Sequence, residues 1–261
     1  FRICRCKHDD INNWENYIPA KEEVLIGSFV LLDDWMIRSE KIDALPKLFV
    51  RDLKANTEEE LVISDEELIN PSISLMQKDR KTNKLRIGYE SPKTPLRTYE
   101  YDIVTKEKKL VKELEIPSGY NRDDYVVKRL NCTAHDGRKI PITIIYHKNT
   151  KLDGSSNLML YGYGSYGHSI PPNFSSARLS LINRNIIWAI AHIRGGMERG
   201  MKYWEEGKML NKKNTFNDYI SCAKFLIEKK YSSKGKIIGY GGSAGGLLMG
   251  AVANEAPDLF L

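Results

Sequence analysis

The 261-residue sequence predicts two parts of different grammar: an all-β segment over residues 1–120 and an α/β segment over residues 121–261. Three observations support this. The first part is a series of short β-like runs separated by charged or turn-prone breaks, with little helical periodicity. The second alternates apolar runs with amphipathic helical ones, as in a parallel sheet covered by helices. Close to its end, an apolar strand, a glycine-packed turn and a helical pattern follow one another around Gly241-Gly-Ser243-Ala-Gly245.

In the first part the predicted strands are Val24–Leu32, Asp34–Ser39, Lys47–Leu53, Ser72–Gln77, Lys84–Glu90, Arg97–Ile103 and Lys108–Leu114. Asp33-Asp34, Lys81–Lys84 and Thr105–Glu107 break them into hairpins. Leu48–Leu53 and Tyr99–Ile103 lie about 50 residues apart, each closing a run of three strands. Such loose self-similarity fits repeated four-stranded propeller blades, and a β-sandwich would read much the same.

Past Ile116-Pro-Ser-Gly-Tyr120 strands are expected at Tyr125–Thr133 and Ile140–Lys148, around the tight turn His135-Asp136-Gly137. Asn157–Leu160 and the near-continuous apolar run Ile186–His192 follow, with a helix at about Phe174–Asn183 between them. A second helix is predicted over Thr215–Lys230. Thr215 and Asp218 resemble a capping box, and Phe216, Tyr219, Ile220, Ala223, Leu226 and Ile227 form one apolar stripe. Strand Lys236–Tyr240 then leads into the glycine turn.

Composition narrows the function classes. The chain is 41% hydrophobic and 28% charged, and no apolar run approaches the roughly 18 residues needed to span a bilayer. Its net charge of +6 is uneven: 20 Lys+Arg against 23 Asp+Glu in residues 1–120, and 20 against 11 in residues 121–261. The lysines are dispersed, and the pairs Lys212-Lys213 and Lys229-Lys230 read as solvated helix ends, so no nucleic-acid partner is expected. Cys4, Cys6, Cys132 and Cys222 include no C-x-x-C. They read as reduced thiols of a cytoplasmic protein, with neither a metal site nor a cofactor.

Gly241-x-Ser243-x-Gly245 carries the chemistry. Between a strand and a helix, this pattern is a nucleophile elbow: the turn holds the serine at strained angles, and small neighbours let a carbonyl approach. The element order is that of an α/β-hydrolase up to its nucleophile. Acyl transfer needs two donors aimed at the nascent oxyanion. One is the backbone N–H of Ala244. The other belongs to the loop after the third strand, Tyr161-Gly-Tyr163-Gly-Ser-Tyr166-Gly167, as a backbone amide or the hydroxyl of Tyr161, Tyr163 or Tyr166.

Two segments imitate a dinucleotide fingerprint, Gly162-x-Gly164-x-x-Gly167 and Gly239-x-Gly241-x-x-Ala244. The first runs into Ser169-Ile-Pro171-Pro172, which cannot open a helix, and the next strand ends at Ala191-His192 where an acid is required. The second opens a helix, but the chain stops before its acid would fall.

Together, Tyr161–Gly167, Ala191-His-Ile-Arg-Gly-Gly196, Lys213-Asn-Thr-Phe-Asn-Asp218 and Gly241–Gly250 resemble the prolyl oligopeptidase family, and within it the oligopeptidase B (protease II) branch. The resemblance implies a seven-bladed β-propeller capping an α/β-hydrolase. It also implies cleavage of short peptides, after Arg or Lys in that branch. These 261 residues would hold the last blades and the first part of the hydrolase. By position, Ser243 matches the nucleophile, Ala244 and Tyr163 the oxyanion donors, and Tyr166 an aromatic wall of the substrate pocket. His192 and Arg194 read as structural supports. The family's catalytic Asp and His and its acidic pocket residues have no counterpart here; Glu198, Glu205 and Glu206 are candidates for the acidic role.

The chain starts at Phe1, and the 18 residues after Ser243 hold no histidine. It therefore reads as a piece of a larger enzyme, with the serine kept and the base absent. Residues 1–261 expressed alone are expected to show no peptidase turnover and, with sheet edges uncovered, poor solubility. A monomeric preparation that cleaves an Arg-containing chromogenic peptide, and loses that activity in Ser243→Ala, would contradict both expectations.

Overall fold

The computed structural model describes residues 1–75 and 79–261, with the side chain of Leu75 excepted. Of the strand predicted at Ser72–Gln77, the last two residues therefore lie outside the described residues.

The all-β part opens with a two-stranded ribbon, β1 (Ile3–Lys7) and β2 (Asp10–Ile18). Two four-stranded antiparallel sheets follow in simple sequence order. The first holds β3 (Val24–Leu31), β4 (Trp35–Ile42), β5 (Leu45–Asp52) and β6 (Thr57–Glu60). The second holds β7 (Asn70–Leu75), β8 (Lys84–Ser91), β9 (Thr94–Asp102) and β10 (Lys108–Glu113). Alternation drives their packing. Leu85, Ile87 and Tyr89 of β8 turn inward and meet Ile37, Leu48 and Val50 of the first sheet in one apolar layer. These are propeller blades, stacked face to face. The sequence pattern does not predict β1, β2 or β6. β6 is four exposed residues, three of them glutamate, and β2 is largely exposed and polar, so neither carries an alternating apolar signal.

The second part is a five-stranded sheet in the order β11 (Tyr125–Thr133), β12 (Lys139–His147), β14 (Ile187–Ala191), β13 (Leu158–Tyr161), β15 (Ile237–Tyr240). β11, β12 and β14 pair antiparallel, whereas β13 runs parallel to both β14 and β15. Helix α1 (Ser176–Ile182) covers one face, where Leu179 and Ile182 pack on Tyr125 and Ile145. A short α2 (Gly200–Glu205), unforeseen in the sequence, precedes α3 (Lys213–Glu228). On the opposite face, Tyr219, Cys222, Ala223 and Leu226 of α3 and Leu248 and Val252 of α4 (Ala244–Glu255) bury against β12, β13 and β14. Cys132 and Cys222, 90 positions apart, meet in this core as free thiols in hydrogen-bond contact, sulfurs 3.4 Å apart.

The capping box expected at Thr215 is not formed, because α3 starts two residues earlier. Thr215 is buried within the helix, and its hydroxyl donates to the carbonyls of Arg194 (2.9 Å) and Gly207 (3.1 Å). Asp218 instead receives the backbone N–H of Arg194 (3.0 Å) and two guanidinium bonds, at 2.8 Å from Nε and 2.6 Å from Nη2. Asp136, in the turn between β11 and β12, takes the remaining Arg194 nitrogen at 2.6 Å. Burial opposes a charge on Arg194, but hydrogen bonds and the two carboxylates hold it firmly protonated. The buried loop carbonyls and guanidinium claim the polar groups that a free helix end would have used for its cap.

The two parts meet through the hairpin tip Asp43-Ala44 between β4 and β5, where both residues have positive φ (50° and 64°), as a two-residue I′-like turn requires. Ala44 is buried there and donates its N–H to the carbonyl of Glu198 at 2.8 Å. Glu23 bridges Arg138 (2.6 Å) and Arg199 (2.9 Å), and Glu90 accepts the N–H of Phe174 at 3.0 Å.

Removing one member of a buried, hydrogen-bonded ion pair strands the other without solvent. Asp218→Ala should therefore destabilise the protein by about 3–5 kcal/mol in denaturant titration. A loss under about 1 kcal/mol, the range of exposed pairs, would contradict the buried reading.

Candidate active site

Three loops converge at the carboxyl ends of the parallel strands, where open α/β sheets place their ligands. Tyr161 pairs with Tyr240 at the ends of β13 and β15, and Gly162 donates its N–H to the Tyr240 carbonyl at 3.0 Å. The loop after β13 therefore lies directly against the turn after β15. The third loop follows β14, and Gly167 donates to the Gly195 carbonyl at 2.9 Å.

The turn after β15 is bent at one residue. Ser243 sits at φ 54°, ψ −121°, immediately before the first residue of α4, and is exposed. Those angles are costly for a residue with a side chain and persist only where the surroundings fix them. The surroundings here are backbone. A Cβ on Gly241 would lie 2.7 Å from the Gly245 carbonyl oxygen and 3.0 Å from that of Gly162. A Cβ on Gly245 would also lie 3.0 Å from the Gly162 oxygen. The turn is thus closed on the start of the helix at a distance that excludes a side chain on Gly241, and both are pressed tightly onto the neighbouring loop.

That neighbouring loop is itself sharply bent, with positive φ at Gly164 (63°), Tyr166 (57°) and Gly167 (67°). Tyr163 is half-buried, its backbone near Gly245 and its ring edge-on to His168 with centroids 5.5 Å apart. Tyr166 is 81% exposed and borders a cleft of about 360 Å³. Ala244 and Leu247 of α4 form one wall of this cleft, and Trp204, Lys208, Met209 and Lys212 another. Tyr161 packs elsewhere, against Trp188 and Tyr240. Tyr166 and Ala244 thus border one cleft, Ser243 directly precedes Ala244, and Tyr163 lies against Gly245 two residues beyond Ser243.

The three glutamates offered as acidic pocket residues do not line the cleft. Glu198 is buried under the Asp43-Ala44 hairpin and accepts the N–H of Ile170 at 3.2 Å. Glu206 faces Arg138 at 3.2 Å, and Glu205 is exposed, 4.0 Å from Lys208. The charged groups on the cleft are lysines. Lys212, read from sequence as part of a solvated helix end, is half-buried and donates to the Gly164 carbonyl (2.5 Å) and the Ser165 hydroxyl (2.8 Å). No pattern in the sequence marked Lys212, Trp204 or Met209; their relevance is set by where the segment before α3 crosses the loop after β13. The glycines at 162–167 open no helix, since the next begins at Ser176.

His192 is wholly buried, its Nε2 2.7 Å from the Thr143 hydroxyl. Burial, with the charges of Arg129 and Lys41, pushes its pKa well below the usual value, so it sits as a neutral imidazole in the interior. Among the described residues no cluster of His, Cys, Asp and Glu is placed to hold a metal ion, and no helix is long and apolar enough to cross a membrane.

Residues 172–261 match the Prolyl oligopeptidase family, and residues 1–114 match the Prolyl oligopeptidase, N-terminal beta-propeller domain. The chain belongs to the prolyl oligopeptidase family. Over its whole length it is 39% identical to dipeptidyl aminopeptidase BI of Pseudoxanthomonas mexicana and 35% identical to protease 2 of Moraxella lacunata. It spans 36% and 37% of those relatives. Among solved structures it resembles oligopeptidase B of Trypanosoma brucei with covalently bound antipain (TM-score 0.90, 36% identity, 98% of this chain and 37% of that one). It also resembles oligopeptidase B of Leishmania major (TM-score 0.85, 34% identity, 94% and 35%). The two blades and the partial hydrolase sheet correspond to the family's propeller and peptidase parts.

Burial pushes the Glu198 carboxyl up to about 7, against the pull of the Ile170 N–H and the charges of Lys41 and Arg129. An unfolded glutamate titrates near 4.3. Across that window the unfolded chain releases a proton that the folded one keeps, so this group's contribution to stability falls as pH rises and is flat on either side. Glu198→Gln should flatten the stability profile by up to about 1.4 kcal/mol per pH unit between about pH 4.3 and 7. Parallel wild-type and variant profiles in denaturant titrations across that range would contradict the assignment.

Proposed function

We propose that the full-length protein is a serine oligopeptidase acting through Ser243. The observation that carries this reading is the exposed serine at φ 54°, ψ −121°, held at the start of α4 by backbone contacts that admit only glycine. In this reading Ser243 Oγ attacks the scissile carbonyl, and a bond forms between oxygen and carbon as the carbonyl π pair moves to oxygen. The N–H of Ala244 and the hydroxyl of Tyr163 receive that negative charge. Collapse, with the proton taken from Ser243 passed by the base to the departing nitrogen, expels the amine and leaves an ester on Ser243, which water hydrolyses. Tyr166 offers an aromatic wall to the substrate.

The proton on Ser243 needs a base. His192, buried and bonded to Thr143, does not serve, and residues 244–261 contain no histidine. The chain spans 36% and 37% of the relatives it matches, so the activity is proposed for the full-length protein. Cleavage after Arg or Lys is supported by the likeness to oligopeptidase B. The cleft itself favours a second reading. Its apolar wall of Trp204, Met209 and Leu247, flanked by Lys208 and Lys212, suits an uncharged residue better than a cationic one, as in a prolyl-type peptidase. Chromogenic peptides with Arg, Lys or Pro before the scissile bond, together with a simple ester, separate these readings by their kcat/KM.

Ser243→Ala in the full-length protein should abolish hydrolysis and fluorophosphonate labelling while leaving thermal stability intact; labelling that persists would move the nucleophile elsewhere. Tyr163→Phe should lower kcat by about 100- to 1000-fold with a smaller change in KM, because the hydroxyl acts on the oxyanion rather than on the bound substrate. Unchanged turnover in the Phe variant would hand that donor role to a backbone amide.

A further inference from the structure

Lys212 is an ammonium in an unusual place. It lies just before α3, half-buried, on the wall of the cleft that also holds Ala244. Among the described residues no carboxylate lies within salt-bridge distance of it. Its partners are the Gly164 carbonyl at 2.5 Å and the Ser165 hydroxyl at 2.8 Å. Burial lowers its pKa: the fold disfavours this charge. A desolvated cation without a counter-ion is costly, while a charge-assisted bond to a carbonyl is about twice as strong as a neutral one.

The loop it grips needs such an anchor. Residues 164–167 include three left-handed residues, and a Cβ on Gly195 would lie 1.9 Å from the same Gly164 oxygen, so that carbonyl is wedged against the loop after β14. Tyr163 and Tyr166 flank the two anchored residues on either side. A shift of the Gly164–Ser165 peptide therefore moves both tyrosines together.

We infer that Lys212 is a positioning residue: by clamping Gly164 and Ser165 it sets where the Tyr163 hydroxyl and the Tyr166 ring stand relative to Ser243. This rests on the serine-peptidase reading above.

The test is steady-state kinetics and thermal melting of the full-length protein carrying Lys212→Met, Lys212→Arg, Ser165→Ala and the Lys212→Met/Ser165→Ala double change. A misplaced site of this kind costs up to about 100-fold, so Lys212→Met should lower kcat by about 30- to 100-fold with a much smaller change in KM and an unchanged melting temperature. Lys212→Arg, which keeps a charged donor, should recover most of the loss. Ser165→Ala leaves the lysine and the helix untouched; it should lower kcat several-fold and add nothing in the double variant, as for partners in one contact. Wild-type kcat in Lys212→Met would overturn the inference. So would a loss that follows the melting temperature and is not recovered by arginine, or additive effects in the double variant. Ser243→Ala measured alongside separates the two readings. If it abolishes turnover while Lys212→Met does not lower it, only this inference fails; if it retains turnover, the serine-peptidase reading fails and takes this one with it.

Discussion

The buried guanidinium of Arg194 is the point on which the α/β part depends. It leaves the sheet just after β14, and its nitrogens reach Asp218 on α3 and Asp136 in the turn between β11 and β12. One side chain thereby fixes a helix, a hairpin and a strand end that are distant in sequence. The direction of its effect is toward geometry rather than net stability, since a well-bonded buried ion pair returns little beyond its desolvation cost but tolerates few arrangements. With Arg194 held, its carbonyl receives Thr215, and the loop after β14 lies where Gly195 meets Gly164. The site's neighbouring loop is thus placed from beneath by charge and from the side by backbone contact.

The second constraint is close approach of backbone. Gly162, Gly241 and Gly245 bring the loop after β13 and the turn after β15 into contact, and the parallel pairing of Leu158–Tyr161 with Ile237–Tyr240 sets their register. A one-residue slip in that pairing would turn Tyr161 and Tyr240 to the opposite face and carry the loops out of line. The strained Ser243 is affordable because two rigid elements end on either side of it.

The sequence made the broad architecture legible because burial leaves periodic signals. β8, β12 and β14 are recognisable from their apolar spacing, and the glycine turn from its flanking strand and helix. What escaped has physical reasons. β6 is all exposed and acidic, so nothing in it alternates. The start of α3 was misplaced because Thr215 and Asp218 have the spacing of a cap but serve Arg194, 21 and 24 positions earlier. Likewise, Lys212 in a basic doublet looks solvated until the loop after β13 is laid over it. Local pattern reports local partners; these residues have distant ones.

The same distinction explains the charge asymmetry. The acidic surplus of residues 1–120 and the basic surplus of residues 121–261 are spent in part on each other. Glu23 lies against Arg138 and Arg199, Asp43 against Arg199 at 3.2 Å, and Glu66 against Arg122 at 3.7 Å. Each of these pairs is partly exposed and contributes little stability alone. Their value lies in orientation, since like charges brought together by a wrong docking would repel. The β4–β5 hairpin tip, with Ala44 bonded to the Glu198 carbonyl, supplies the uncharged anchor about which those pairs select one orientation. The basic excess of residues 121–261 is, in the folded chain, matched in part by the blades that precede it.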